Sequence, residues 1–120
     1  RPETPEGLRT HQRVRTGTLM LGTPAFGWSE QFADPDAPAM RVENSDSARI
    51  IIEQGGGIGA LFCVAGDSCA TLERVFPEPF EQIEARVLFH VSTRGSAKVR
   101  VVLDALIPFL RERQSVLSGT

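Results

Sequence analysis

The chain has 120 residues, an apolar share of 41% and a formal net charge of -2. This length allows one domain at most, and the charge provides no basic field that would draw the chain to DNA or to a membrane. No apolar run approaches the roughly 18 residues of a membrane span, and the N-terminus lacks the apolar core of a signal peptide. Two cysteines are too few for a disulfide-dense fold and favour a reducing, cytoplasmic location.

The first third of the chain predicts a short helix, two strands and a long loop. The sequence TPEG at 4–7 suits a helix start, and residues 12–16 alternate polar and apolar side chains as a strand does. Residues 17–38 hold three glycines and three prolines and predict a loop, with a short strand at 28–32 as an option. Residues 39–43 predict the next strand.

The middle of the chain predicts a capped helix, a glycine turn and a strand. Asn44 or Ser45 suits the N-cap, and apolar residues then recur at helical spacing to about residue 54. The glycines at 55–57 end this helix. The continuous apolar run at 58–62 predicts a buried strand.

The same glycines match the dinucleotide-binding pattern G-x-G-x-x-[GA] through Gly55, Gly57 and Ala60. A dinucleotide site needs strand, glycines and helix in that order, so that the helix N-terminus faces the pyrophosphate. Here a helix precedes the glycines and a strand follows, which places the negative end of the helix dipole at the turn. The glycines therefore predict a backbone turn and no nucleotide site.

The remainder of the chain predicts a loop, a strand and one long helix. Residues 71–80 lead into a proline-bracketed loop, and residues 85–91 alternate as a strand does. Ser96 suits the N-cap of the last helix, within which Pro108 predicts a kink or one lost hydrogen bond. The apolar side chains of this helix form one stripe: Val99, Val102, Leu103, Leu106, Phe109 and Leu110. Strands separated by helices predict an α/β fold with a mixed sheet flanked by helices.

No catalytic or metal-binding pattern stands out. His11 and His90 lie at no triad spacing. The C-x5-C pair Cys63 and Cys69 stands alone, and no His, Cys and Asp cluster has the spacing of metal ligands. We therefore expect no enzyme, no metal and no cofactor. A thiol switch through the two cysteines is an alternative to the simpler interpretation, in which Cys63 is buried in or beside an apolar strand and Cys69 lies in a loop.

Several blocks of sequence together resemble one family. They are MRVENSDSARIIIEQGGGIGALF at 40–62, the LERVFPE link at 72–78, and ARVLFHVSTRGSAKVRVVLDALIPFLRERQSVLSG at 85–119. Their order is similar to the C-terminal part of the effector-binding domain of LysR-type transcriptional regulators. The opening RPETPEGLRTHQRV at 1–14 is similar to the crossover between the two lobes of that domain.

The resemblance implies a non-enzymatic, ligand-sensing fragment of a domain with two α/β lobes of the type-2 periplasmic-binding-protein form. Residues 1–75 would supply the second lobe, and residues 76–120 the strand and final helix that return to the first. DNA would be contacted only through an N-terminal helix-turn-helix that these residues lack. A small metabolite, with carboxylates among the options, would bind in the cleft between the lobes.

In the resembled fold, effectors touch the loops after strands and the N-termini of helices. The candidate ligand-binding residues carried over in this way are Thr16, Gly17, Thr18, Asn44, Ser45, Asp46 and Phe62. For Asn44 and Ser45, simple helix capping is the alternative.

Without the first lobe, strand 85–91 and the last helix would expose apolar faces, so we expect a homodimer through these surfaces or a remnant of a longer protein. A stand-alone solute-binding domain and a thiol redox sensor through Cys63 and Cys69 are the alternative functions.

Overall fold

A computed structural model describes residues 1–17, 27, 30–32, 34 and 36–120. The strands are β1, Arg13–Thr16; β2, Ala39–Val42; and β3, Ile58–Gly59. The α-helices are α1, Ser45–Glu53; α2, Cys63–Asp67; α3, Ala97–Glu112; and α4, Gln114–Ser118. Short 3-10 helices span Pro5–Thr10 and Val91–Thr93. The candidate residue Thr18 and most of the predicted 17–38 loop lie outside the described residues.

The three strands form a parallel sheet in the order β2-β1-β3. Thr16 of β1 lies opposite Val42 of β2, and Val14 of β1 lies opposite Gly59 of β3. Helix α1 connects β2 to β3, which flank β1 on opposite sides. The α/β class is therefore confirmed, whereas the expectation of a mixed sheet is wrong for the described strands, which are all parallel.

The core lies between β1, α1 and the first 3-10 helix. Leu8, Val14 and Ala48 are each at most 3% exposed, and α1 packs against β1. The approach is close, because a methyl group added at Gly59 would lie 2.7 Å from the Ile52 Cδ1 atom. A glycine at that position thus lets the helix sit directly on the sheet.

The opposite face of β1 carries charge. Arg13 is only 5% exposed, and Arg15 makes a two-pronged ion pair with Glu30, with 3.0 Å between Arg15 Nε and Glu30 Oε1. This bond raises the pKa of Arg15, whereas burial lowers the pKa of Arg13. Glu30 is helical and residues 31–32 form a turn, so the described part of the optional strand at 28–32 is not a strand.

Both ends of α1 follow the prediction. The Asn44 side chain caps the helix by accepting a hydrogen bond from the Ser47 N–H at 2.8 Å. At the other end, the Gly55 N–H donates to Ile52 and the Gly56 N–H to Ile51, each at 2.9 Å. This is the Schellman pattern, and Gly55 at φ 80° supplies the left-handed residue that it requires. The glycine turn is therefore confirmed.

The predicted strand 58–62 is shorter in the structure. Only Ile58 and Gly59 pair with β1, and the chain then leaves the sheet to begin α2 at Cys63. Residues 58–61 are half-buried, because β3 has β1 as its neighbour on one side only among the described strands. The interpretation of Cys63 as a strand neighbour is wrong, since it opens a helix.

The predicted strand 85–91 is wrong for this chain. Residues 81–90 carry no helix or strand and are all exposed, and Val91 begins a 3-10 helix. Strand structure requires a partner, and the described chain offers none to this segment. The exposed segment contributes to an elongated molecule, with a radius of gyration of 17.3 Å and a longest dimension of 54 Å.

Helix α3 is confirmed from its predicted start and continues through Pro108. Ser96 occupies the N-cap position without a side-chain capping hydrogen bond. No residue of α3 is buried, and its apolar stripe faces solvent in part, with Val102 60% and Phe109 50% exposed. The apolar stripe of α3 therefore packs little against the sheet and α1.

The LERVFPE link is hydrogen-bonded to the N-terminus, to α2 and to the residue after α4. Arg74 makes a two-pronged ion pair with Asp67, with 2.8 Å from Nε to Oδ1, and it also donates to the Gly119 carbonyl at 2.9 Å. Arg1 donates to the carbonyls of Arg74 and Val75 at 2.7 and 2.8 Å. One short segment therefore ties the N-terminus, α2 and α4 together.

We expect Gly57→Ala to lower the free energy of unfolding by roughly 1–3 kcal/mol. Gly57 has φ 131°, and its added methyl group would lie 2.5 Å from the Gln12 carbonyl oxygen beside β1. Gly95→Ala is the matched control, because open space surrounds that position and its φ is not in the left-handed region. Urea unfolding followed by circular dichroism measures both. Equal urea midpoints for the two variants would show that the methyl group at residue 57 causes no strain.

We also expect Arg74→Gln to raise the pKa of Asp67 toward the ordinary value near 3.9. In the native protein the hydrogen bond from Arg74 lowers this pKa. The pair therefore stabilises the fold above about pH 4, and this contribution is lost as the pH falls through the lowered value. Because Asp67 is 39% exposed, the contribution should stay within about 1 kcal/mol.

Carboxyl NMR titration measures the pKa of Asp67. Arg86→Gln serves as the control, since Arg86 binds Glu84 in the exposed segment instead. An unchanged Asp67 pKa in Arg74→Gln would show that the ion pair does not persist in solution.

Candidate functional site

The carboxyl ends of β1, β2 and β3 lie at one edge of the sheet, because the strands are parallel and in register. We call the residues at or just after these ends the carboxyl edge; they are Thr16–Gly17, Glu43–Asp46 and Ala60–Phe62. In open parallel sheets, ligands bind outside this edge where the connections diverge to opposite sides. The order β2-β1-β3 places that point between β1 and β3. All described candidate residues belong to the carboxyl edge.

Gly17 and the Glu43 carboxylate lie against each other at the end of β1. Thr16 is 6% exposed, and the Gly17 N–H donates to the Val42 carbonyl at 2.5 Å, which extends the pairing with β2 by one bond. The Glu43 carboxylate lies where a side chain at residue 17 would be. Gly17 therefore keeps open a space that Glu43 occupies.

The N-terminus of α1 supplies hydrogen-bond donors to the same edge. The first N–H groups of a helix have no intrahelical partner, and the Asn44 side chain satisfies that of Ser47. The N–H groups of Ser45 and Asp46 can then face a ligand, with the positive end of the helix dipole behind them. Asn44 itself performs the capping role given as the alternative to ligand binding.

The charges at the carboxyl edge oppose each other. The helix N-terminus favours an anionic group, whereas the carboxylates of Glu43 and Asp46 disfavour it and favour a cation or a hydrogen-bond donor. A ligand that presents both kinds of group to the two positions matches this arrangement better than a simple anion does.

Phe62 contacts a different feature as well. It is 41% exposed and lines an open groove of about 680 Å³ between the sheet unit, the 71–85 segment and the C-terminal helices. The other described candidate residues do not line this groove. Much of its wall is apolar, with Leu8, Ile52, Leu61, Val64, Leu72, Phe76, Phe80, Ile83, Leu110 and Leu117. The groove thus shares with the carboxyl edge only the residues after β3, Ala60–Phe62, and none of those after β1 or β2.

The two cysteines are free and lie in different surroundings. The Cys69 thiol donates to the Glu53 carboxylate at 2.7 Å. This bond, together with one from Arg49, lowers the pKa of Glu53. Cys63 begins α2 and lies beside Gly119. Reactive thiolates sit beside cations, whereas Cys69 has a carboxylate as its partner.

The histidines take local partners. His11 Nδ1 lies 2.9 Å from the Gly7 carbonyl oxygen, and His90 Nδ1 lies 2.7 Å from the Ser92 hydroxyl. Across the described ranges, no group of three or more His, Cys, Asp and Glu side chains is placed to hold a metal ion. Among the same residues, no helix has both the length and the apolarity to cross a membrane.

Comparison of the chain with protein-family models, curated proteins and solved structures found no match. The function is therefore argued from the carboxyl edge and from the sequence resemblance.

Sequence reasoning did not single out Glu43 or Glu30. Glu43 directly precedes the N-cap Asn44, so it stands in the connection between a strand and a helix, where ligand-contacting side chains occur. That position was the available signal. No comparable pattern marks Glu30, because it lies 15 positions along the chain from its partner Arg15.

We expect Asn44→Ala to lower the free energy of unfolding by about 1 kcal/mol. The variant removes the side-chain oxygen that accepts the Ser47 N–H. Asn44→Ser retains a capping oxygen and should change the stability by a few tenths of a kcal/mol at most. Urea unfolding of both variants separates these outcomes. Equal losses would mean that Asn44 acts through something other than the cap.

Proposed function

We propose that this chain is the ligand-sensing part of an effector-binding domain of the LysR type, and that it binds a small metabolite without catalysis. The single observation that carries the proposal is the carboxyl edge. Five of the seven candidate residues fall at the end of β1 or at the N-terminus of α1, and Phe62 lies three residues beyond the end of β3. The seventh, Thr18, lies outside the described residues.

The charges refine the ligand class. A carboxylate would lie at the N–H groups of Ser45 and Asp46, and an amino or hydroxyl substituent would donate to the carboxylate of Glu43, which lies against Gly17. Small amino or hydroxy acids fit both positions. The exposed ring of Phe62 would cover an apolar part of the ligand.

In the proposed protein, ligand binding would change the geometry of two lobes. The exposed apolar side chains of residues 85–91 and α3 support a partner against this part of the chain. DNA would be contacted by a helix-turn-helix domain outside these 120 residues, and the protein would act in the cytoplasm as a homodimer.

The test is a thermal-shift and calorimetric titration with amino acids, hydroxy acids and the matching unsubstituted carboxylates. We expect members of the first two groups to raise the melting temperature more than the unsubstituted acids do. A ligand at 100 times its Kd stabilises the fold by about 2.7 kcal/mol, which in a domain of this size is a shift of several degrees.

Two variants separate direct contact from folding effects. Asn44→Ser keeps the α1 cap, and Glu43→Gln removes a charge from an exposed side chain. Glu43→Gln should weaken amino acids at least tenfold while leaving unsubstituted carboxylates unchanged or tighter. An amino-acid affinity that is the same in Glu43→Gln as in the native chain, or no binding by any member of the panel, would contradict the proposed site.

A further inference from the structure

The segment 84–90, EARVLFH, is self-complementary when two copies run antiparallel. With Val87 opposite the Val87 of a second copy, Ala85 lies opposite Phe89. These side chains share one face, because alternate residues of a strand point to the same side. Their pairing is apolar at every position, and such cross-strand pairs stabilise a sheet.

The other face is complementary in charge and shape in the same register. Glu84 lies opposite His90, and Arg86 opposite Leu88. His90 uses Nδ1 for the Ser92 hydroxyl, so Nε2 is the ring nitrogen that faces the incoming Glu84 carboxylate. Arg86 already holds Glu84 on its own strand, at 2.6 Å from Nη2 to Oε2. No like charges are brought opposite each other in this register.

The structure leaves this segment exposed to a partner up to His90, whose carbonyl accepts from the Thr93 N–H. Residues 81–90 are exposed throughout and carry no strand pairing. Leu88 is 87% exposed and Val87 43%. An unpaired segment with alternating side chains is the usual acceptor of a second strand.

We propose that a second copy of this chain pairs with residues 84–90 as an antiparallel strand centred on Val87. The arrangement is isologous, because each residue i meets residue 174 − i of the partner, and it closes as a two-fold dimer. The pairing uses no residue of the carboxyl edge, so it stands or falls independently of ligand binding.

Helix α3 supplies what a two-stranded ribbon lacks. Two strands alone are marginal in water and need an apolar layer against one face. The 3-10 helix Val91–Thr93 and a short turn separate the strand from α3. The α3 stripe remains partly exposed at Val102 and Phe109. Two copies of α3, one from each chain, would cover the face that carries Val87 and Phe89.

The first test uses a designed disulfide. In a Cys63→Ser, Cys69→Ser background, Val87→Cys places two thiols on directly opposed residues, whose Cα atoms are about 4.5–5.5 Å apart in an antiparallel pair. Disulfides need about 4.4–6.8 Å. Ala85→Cys is the matched control, because the two residues 85 would be four positions apart, roughly 13 Å.

Mild oxidation followed by non-reducing electrophoresis should give a cross-linked dimer for Val87→Cys and none for Ala85→Cys. Cross-linking of both variants, or of neither, would overturn the register.

The second test measures mass by light scattering. The native chain should have twice its monomer mass, and Val87→Asp should be monomeric, because it sets two carboxylates opposite each other. Leu88→Asp should remain dimeric, because the new carboxylate lies opposite Arg86 of the second copy. Circular dichroism checks that the sheet unit stays folded in each variant.

This pair of variants separates strand pairing from non-specific association. Leu88 is more exposed than Val87. Non-specific association through exposed apolar surface would therefore be reduced more by Leu88→Asp than by Val87→Asp. That order, or a native chain that stays monomeric at every concentration short of aggregation, would overturn the proposal.

Discussion

The backbone pairing of β1 on both of its edges is the constraint on which the rest of the fold depends. Strands β2 and β3 contact each other through β1 alone in the described sheet, and the most buried residues include its own Arg13, Val14 and Thr16. Because both pairings are parallel, α1 must cross from one side of β1 to the other. The same geometry brings three strand ends and one helix N-terminus to a single edge. Removing β1 would therefore disperse the candidate site along with the sheet.

Features determined by neighbouring residues could be predicted from the sequence. The cap at Asn44 and the glycine turn at Gly55 depend on residues within a few positions, so their local chemistry is sufficient. Helix α3 is also predicted correctly from its apolar stripe, although the stripe has found no buried position. Local pattern thus specifies the type of element, and the surroundings decide whether that element is buried.

Features that need a distant partner could not be predicted in the same way. Residues 58–62 and 85–91 both have strand composition, but a strand exists only where another strand pairs with it. Only Ile58 and Gly59 of the first segment pair with β1 before the chain leaves the sheet. The candidate site shows the same division. Its positions on loops and at a helix start followed from the family resemblance, whereas the Glu43 carboxylate against Gly17 arises from the pairing of β1 with β2.

The elongated form increases the apparent size of the molecule in solution. A compact chain of 120 residues has a radius of gyration of roughly 14 Å, whereas this one has 17.3 Å. That value belongs to a compact protein of roughly 230 residues, close to two copies of this chain. On a sizing column a single copy would therefore elute earlier than a compact chain of the same length. Diffusion and elution volume therefore depend on the exposed segment 81–90 and on α3 as well as on the number of chains.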